Sequence, residues 1–378
     1  MSLKARFVEH LIENQPDLLK NHSSDQIQSL ISEQIISPFQ VKLPKELLTK
    51  THAEIKKYWP LRFWTHKHRS SEYPLSKDQL PKNYAVCMSY DFHFNREKNE
   101  LELIEINTNS AFLALGIELY KFWKLKNQPF DFDEAALVAM FKNEVKLNSF
   151  QPYSSKMAIV DESPEQQRLF IEFLVYQAVL NKNGFQTDIL DTSGISENSN
   201  YDLIYNRSTD FYLQNDKSKT LKNLFLNART LSPNPWEYFL LADKQRLIDW
   251  NEQTEIEKPN SLLKTYDLGK SDKDQIWSER KSLFIKPKTS FGSKQSYRAG
   301  SISRKVFDEV FNAGFIAQQF SQPDEIEVEI NREKQKMKYD LRCYAYQDQL
   351  QMIIARLYQG QTTNARTPGG GFACVVFE

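Results

Sequence analysis

The stretch LELIEIN at 101–107 constrains the fold of this chain more than any other. It reads as a half-buried strand. A polar turn, REKN at 96–99, precedes it, and before that comes an apolar run, NYAVCMSY at 83–90. Two such runs across a short turn predict a β-hairpin over 83–107. Residues two apart on a strand share a face, so Glu105 and Asn107 present a carboxylate and an amide carbonyl side by side. These are hard oxygen donors, of the kind that hold Mg2+ together with substrate phosphates. Asp91, at the far end of the first strand, is a further acidic candidate. A solvated strand edge would also carry such a pair. The metal reading therefore needs a phosphate ligand, and the residues best suited to bind one lie after 240.

The chain has 378 residues, 40% of them hydrophobic and 13% aromatic, enough for roughly two or three domains with a real core. Lys+Arg and Asp+Glu are both 49. That balance argues against a nucleic-acid or anionic-membrane partner, both of which favour a basic excess. Cys87, Cys343 and Cys374 show no metal or disulfide spacing, which fits a reducing compartment. The N-terminus has no signal-peptide core and no stretch is apolar for about 18 residues, so a soluble cytoplasmic protein is expected.

Segments 3–14, 23–36 and 44–58 carry apolar residues at helical spacing, broken by Pro38, Pro44, Pro60 and Pro74. His66 and His68 lack a third ligand and read as loop residues. Residues 111–124 read as a helix. A new unit begins near 150: MAIVD (157–161) is a buried strand, and Ser163-Pro164-Glu165-Gln166 has the composition of a helix start. That helix is expected to end at Asn183-Gly184. QTDIL (186–190) and YDLIYNR (201–207) complete a small doubly wound α/β unit, with Arg207 at a strand end where a ligand would lie. Residues 219–250 are helical around SPNP. Strands return at 282–288, 315–320, 339–346 and 351–358.

Within FIKPKTSFGSKQSYRAG (284–300), Lys286 and Lys288 alternate onto one face, and Ser290, Gly292 and Ser293 suit a loop that turns backbone N–H groups toward phosphate. Arg342 and Arg356 project from neighbouring strands, where phosphate or carboxylate partners are expected. TNARTPGGG (363–371) has three consecutive glycines, which permit close backbone approach to a ligand.

The order Asp91…LIEINTNSAF, YDLIYNRS, ARTLSPNPWEYFLLADKQ, FIKPKTSFGS, ARLYQGQTTNARTPGGG resembles the circularly permuted ATP-grasp ligases, above all the eukaryotic-type glutathione synthetases. The segment DLRCYAYQDQLQMIIARL…TN…GGG also resembles the linear ATP-grasp ligases that add amino acids to peptides. The resemblance covers roughly 83–378. It implies a mixed α+β/α/β chain: a helical N-terminal segment (1–80), a metal-binding hairpin and helix (81–125), an inserted substrate domain (150–232) and ATP-grasp nucleotide-binding subdomains (233–378). The implied activity is an ATP- and Mg2+-dependent carboxylate–amine ligase that forms an amide through an acyl phosphate. The implied partners are small-molecule or peptide carboxylates and amines. Alternatives are a ligase for another peptide or a polyamine, or a non-catalytic nucleotide binder. Residues 1–80 would cap the sheet or form a homodimer contact.

By the same resemblance, Lys244, Lys286 and Lys288 contact ATP, the loop with Ser290, Gly292 and Ser293 covers its phosphates, and Gln318 and Gln319 edge the adenine hinge. Glu105 and Asn107 bind Mg2+. Arg207 and Arg356 face the carboxylate substrate, with Ser208, Asp210, Gly369 and Gly370 near it. Arg342 and Asn364 lie near the transferred phosphate. The chain departs from the family where a metal-binding glutamate is replaced by Thr289-Ser290, which leaves Asp91 or Asp340 as the third acidic ligand. Thr209-Asp210 stand where the family has glycine-tyrosine, and Tyr358 stands where it has a lysine.

Overall fold

A computed structural model describes residues 1–125, 132–148, 155–289, 295–360 and 367–378, and these build three sheets. The hairpin forms, with its first strand shifted: β2 (Met88–Asn95) pairs antiparallel with β3 (Glu100–Asn107). The expected start at residue 83 is too early. Cys87 sits at φ 56, in the left-handed region, and turns the chain before the strand begins.

The largest sheet runs β1 (Val41–Leu43), β15 (Gly371–Phe377), β14 (Gln349–Tyr358), β13 (Glu333–Tyr346), β2, β3. β12 (Asp324–Ile330) pairs with the first half of β13. The early hairpin and the C-terminal strands thus share one sheet, joined at β2 and β13. Residues 1–80 belong to it as well. β1 lies parallel to β15, and the helices at Leu3–Asn14 and Lys45–Arg69 contribute Phe7, Leu11, Tyr58 and Leu61 to the cores on its two sides. The first of these helices matches its sequence pattern. The second extends well past the expected 58.

A parallel sheet, β5-β4-β6-β7, comprises β4 (Lys156–Asp161), β5 (Gln186–Asp191), β6 (Leu203–Asn206) and β7 (Leu231–Ser232). The switch point of this order lies between β4 and β6. The helix after β4 spans Phe170–Lys182, later than expected: Ser163 adopts φ 47 without capping, and Pro164–Gln166 forms a separate tight turn. Its end at Asn183-Gly184 agrees with the sequence. A third, antiparallel sheet contains β10 (Tyr297–Arg298), β9 (Leu283–Pro287), β11 (Phe315–Gln319) and β8 (Thr265–Asp267), with its own small core. Among the described residues, no helix is long and apolar enough to cross a membrane.

The glycines of TPGGG serve the fold. A Cβ on Gly371, at φ +126, would lie 2.8 Å from the Ile36 backbone carbon and 2.9 Å from the Gln34 carbonyl oxygen. Gly369 sits under Ile330 and Phe39, and Gly370 against Thr367 and the Leu357 carbonyl. The close approach read from sequence is therefore to the chain itself, where residues 35–37 exchange backbone hydrogen bonds with Phe372. Gly371→Ala is expected to lose about 1–3 kcal/mol or more from backbone strain alone. A fall in melting temperature checks it.

Candidate active site

One face of the largest sheet is divided. Tyr344, Met352, Ile354 and Cys374 are buried in the core with the helix Leu113–Phe122. Further along the same strands the side chains become charged: Asp340 and Arg342 on β13, Arg356 on β14, Asp91 on β2 and Glu105 on β3. The stacked rings of Phe112 and Phe372, 3.7 Å apart, flank this change.

The charges form a ladder. Arg342 donates from Nε (3.1 Å) and Nη2 (2.8 Å) to Asp91. Arg356 donates to Asp91 at 2.9 Å and to both oxygens of Asp340, at 2.7 and 2.8 Å. Asp91 is fully buried. Burial alone would raise its pKa, but Arg342 and Arg356 outweigh that and hold it at about 2. Asp91 and Asp340 are thus engaged by arginines rather than standing open as a third metal ligand.

Glu105 and Asn107 share a face, as their spacing predicts, and sit beside this ladder. The Asn107 amide donates to Asp91 (3.1 Å) and Glu105 (3.3 Å). Lys244 approaches Glu105 at 3.6 Å. Burial opposes ionisation of Glu105, yet Lys244 and Lys286 keep its pKa below the ordinary value. A bulge between Asp91 and Phe92 leaves Ile104 as the extra residue on β3. Lys286, reaching across from β9, donates to the Ile104 carbonyl at 2.9 Å and to Gln318 at 2.7 Å. Gln318 in turn donates to Leu103 at 3.1 Å. The bulge is therefore where the third sheet docks on the first. Burial pushes the Lys286 ammonium down to about 8; Glu105 opposes this and Lys244 adds to it.

The donor set fits a Mg2+ ion that arrives with phosphate. One carboxylate and one amide stand together, the amide needing only to turn its oxygen outward. No group of three His, Cys, Asp or Glu side chains suited to a metal occurs among the described residues, so the protein builds no complete cage there.

Other candidates fall elsewhere. Lys288 is paired to Asp267 at 3.2 Å. Gln319 is exposed, while Gln318 is internal and holds Lys286. Arg207 follows β6 and donates to Asn109, to the Ser110 carbonyl (3.2 Å) and to the Tyr205 hydroxyl (3.2 Å), while its buried Nε finds no partner among the described residues. Asn109 also donates to the Ser208 carbonyl at 3.2 Å. Asp210 is a turn residue, accepting the N–H groups of Gln214 (3.0 Å) and Asn215 (2.8 Å). Ser290, Gly292, Ser293 and Asn364 lie outside the described residues. His66 and His68 pack on Trp236 and Trp64 instead of converging on a metal.

Sequence reasoning missed Asp161 and Glu172, buried acids on which the Arg207 charge acts. Asp161 ends β4 at the switch point, and burial raises its carboxyl to about 6, with Arg207 opposing. Its place at the end of an apolar parallel strand was the available signal. Glu172 is fully buried and accepts the Phe112 (2.8 Å) and Ala114 (3.2 Å) N–H groups at a helix start. Nothing in the sequence pairs those segments.

No protein-family model and no curated protein matches the chain. Among solved structures it is similar to a glutathione synthetase-like effector, GSS30, from Globodera pallida, in apo form. The TM-score is 0.56 at 10% identity, covering 98% of this chain and 97% of that one. A putative gamma-glutamylcysteine synthetase from Methylobacillus flagellatus KT matches at TM-score 0.46 and 10% identity, over 85% of each chain. The mixed α/β fold is thus shared with the glutathione synthetase-like structure.

Proposed function

We propose that the chain is an ATP- and Mg2+-dependent carboxylate–amine ligase built on a circularly permuted ATP-grasp fold. The observation that carries this is the Lys286 ammonium, delivered by a separate sheet to the strand bearing Glu105 and Asn107. A buried cation beside a carboxylate–amide pair suits a phosphate chain carrying its own divalent ion.

In this reading Lys244 and Lys286 bind the phosphates, and Glu105 and Asn107 hold Mg2+. The chemistry Mg2+ supplies is charge neutralisation on phosphate oxygens. Arg207, whose Nε has no partner among the described residues, orients a substrate carboxylate. A carboxylate oxygen attacks the γ-phosphorus, the bond to the β-phosphate oxygen breaks, and ADP leaves. An amine nitrogen then attacks the acyl carbon, the acyl C–O bond breaks, and the departing phosphate takes up the proton the amine loses. Arg342 and Arg356 neutralise charge along this path. No side-chain nucleophile takes part. The backbone partners of Asp210 remove the reason for expecting a cationic acceptor there.

A second reading is a non-catalytic nucleotide binder. The commitment of both Arg342 and Arg356 to Asp91 and Asp340 favours it. ADP release with Mg-ATP and pools of amino acids or γ-glutamyl peptides separates the two. Acceptor-dependent release supports the ligase. Tight ATP binding by titration calorimetry without turnover on any acceptor overturns it.

The pH dependence of ATP binding follows from Lys286. Its ammonium is lost as pH rises through about 8, well below an ordinary lysine. ATP affinity is therefore expected to be flat below that point and to fall above it, approaching about tenfold per pH unit. Lys286→Met should flatten the profile.

A further inference from the structure

The loop that leaves Arg207 does not end in the substrate domain. It is first held to itself. The Ser208 N–H donates to the Asn206 side chain (3.1 Å), the Asp210 N–H to the Ser208 hydroxyl (3.2 Å), and the Leu213 N–H to the Asp210 carbonyl (3.0 Å). Leu213, at φ 52, is buried. These bonds tie the segment that follows Arg207 to the stretch bearing Phe211 and Tyr212.

Those two rings grip a different part of the chain. Phe211 stacks on Tyr238 with centroids 4.4 Å apart and planes at 13°, and Tyr212 meets the same ring edge-on at 5.0 Å. Tyr238 opens the wide turn Tyr238–Ala242, closed by the Asp243 N–H donating to the Tyr238 carbonyl at 2.9 Å. Turns of this width are uncommon and cluster at functional sites. The Tyr212 hydroxyl donates to Asp243 Oδ2. The other oxygen, Oδ1, accepts at 2.9 Å the N–H of Gln245, the first residue of the helix Gln245–Glu252. Between Asp243 and Gln245 lies Lys244, whose ammonium stands 3.6 Å from Glu105.

We propose that Tyr212 is a positioning residue: through Asp243 it sets Lys244 beside Glu105, so that the loop carrying substrate contacts and the lysine of the nucleotide site are latched together. This rests on the reading that Lys244 binds nucleotide phosphates. Tyr212 remains a donor throughout, because burial and the Asp243 carboxylate both raise its pKa far above neutrality. The latch spans two units that bind different substrates. It therefore couples them: ordering Lys244 on ATP orders the loop at Arg207, and the reverse holds by linkage.

Tyr212→Phe removes one hydroxyl and keeps the ring contacts. It is expected to weaken Mg-ATP binding, read by titration calorimetry, about five- to tenfold, within the net range of a single typical hydrogen bond. ATP KM should rise more than kcat falls, while the melting temperature stays close to wild type. The decisive measurement is a cycle with Lys244→Met. If Tyr212 acts through Lys244, Tyr212→Phe has little further effect on ATP affinity in the Lys244→Met background. Should Tyr212→Phe fail to fold, Asp243→Asn carries the same cycle, leaving one carbonyl oxygen for two donors. If Lys244→Met weakens ATP binding but the two effects multiply, the latch is wrong and the nucleotide site stands. If Lys244→Met leaves ATP affinity unchanged, the nucleotide role of Lys244 fails and the latch fails with it.

Discussion

Glu105→Gln is expected to lower acceptor-dependent ADP release by about a hundredfold or more, the scale for removing an essential electrostatic group. Glutamine keeps the shape and removes the charge. In the native protein that charge is secure: Lys244 and Lys286 overcome burial and the repulsion of Asp91 to keep Glu105 ionised. Without it the buried Lys244 and Lys286 ammonium groups lose the carboxylate that offsets their mutual repulsion. The Lys286 pKa, already pushed down to about 8, loses the carboxylate that opposes the shift and falls further. The variant should therefore need more Mg2+ to reach its residual rate. Its affinity for ATP without Mg2+, at a pH below the Lys286 transition, should be no weaker than wild type, because a repelling anion is gone. Those opposite signs distinguish a lost metal ligand from a collapsed site. ADP release that survives Glu105→Gln combined with Asn107→Ala would sink the metal assignment.

The sequence made some of this legible, and the limits have physical causes. The period-2 spacing of Glu105 and Asn107 put both on one face because strand geometry allows no other outcome. The alternation of Lys286 and Lys288 predicts a shared face on the same ground, yet their partners differ: Gln318 and the Ile104 carbonyl for one, Asp267 for the other. Periodicity gives a face, not a partner across space. Asp91 appeared as a ligand candidate because nothing local reveals that Arg342 and Arg356, some 250 residues later, fill its coordination. The three glycines predict close approach to a ligand, but pattern cannot say what approaches: residues 34–37 lie against Gly371, Ile330 and Phe39 against Gly369, and Thr367 and Leu357 against Gly370. The helix start after β4 was misplaced because Ser163 has the right side chain in the wrong backbone basin. Tyr212 carried no signal at all, since its role depends on where Asp243 folds back to meet it.

Asp91→Asn should act on stability where Glu105→Gln acts on turnover. Asp91 is the shared acceptor of two arginines on neighbouring strands, β13 and β14, and it is fully buried. An asparagine has one carbonyl oxygen for donors that now use two carboxylate oxygens, and no charge to set against two guanidinium groups. Breaking a buried pair in this way costs about 3–5 kcal/mol, because the partners stay buried and uncompensated. Asp340 still holds Arg356 through both oxygens, so the burden falls mainly on Arg342. The pH dependence has a definite sign. The folded pKa of Asp91, about 2, lies below the unfolded carboxyl value of about 3.9. Its contribution is complete above about pH 4 and is lost as pH falls from there toward 2. Urea midpoints at pH 7 and 5 should therefore show the full gap between wild type and variant, and the gap should narrow below pH 4. A variant within about 1 kcal/mol of wild type at pH 7, below the range for a broken buried pair, would mean that the ladder does not brace the sheet. Asp91 would then be available to the metal after all, and the third acidic ligand would be found where the sequence first placed it.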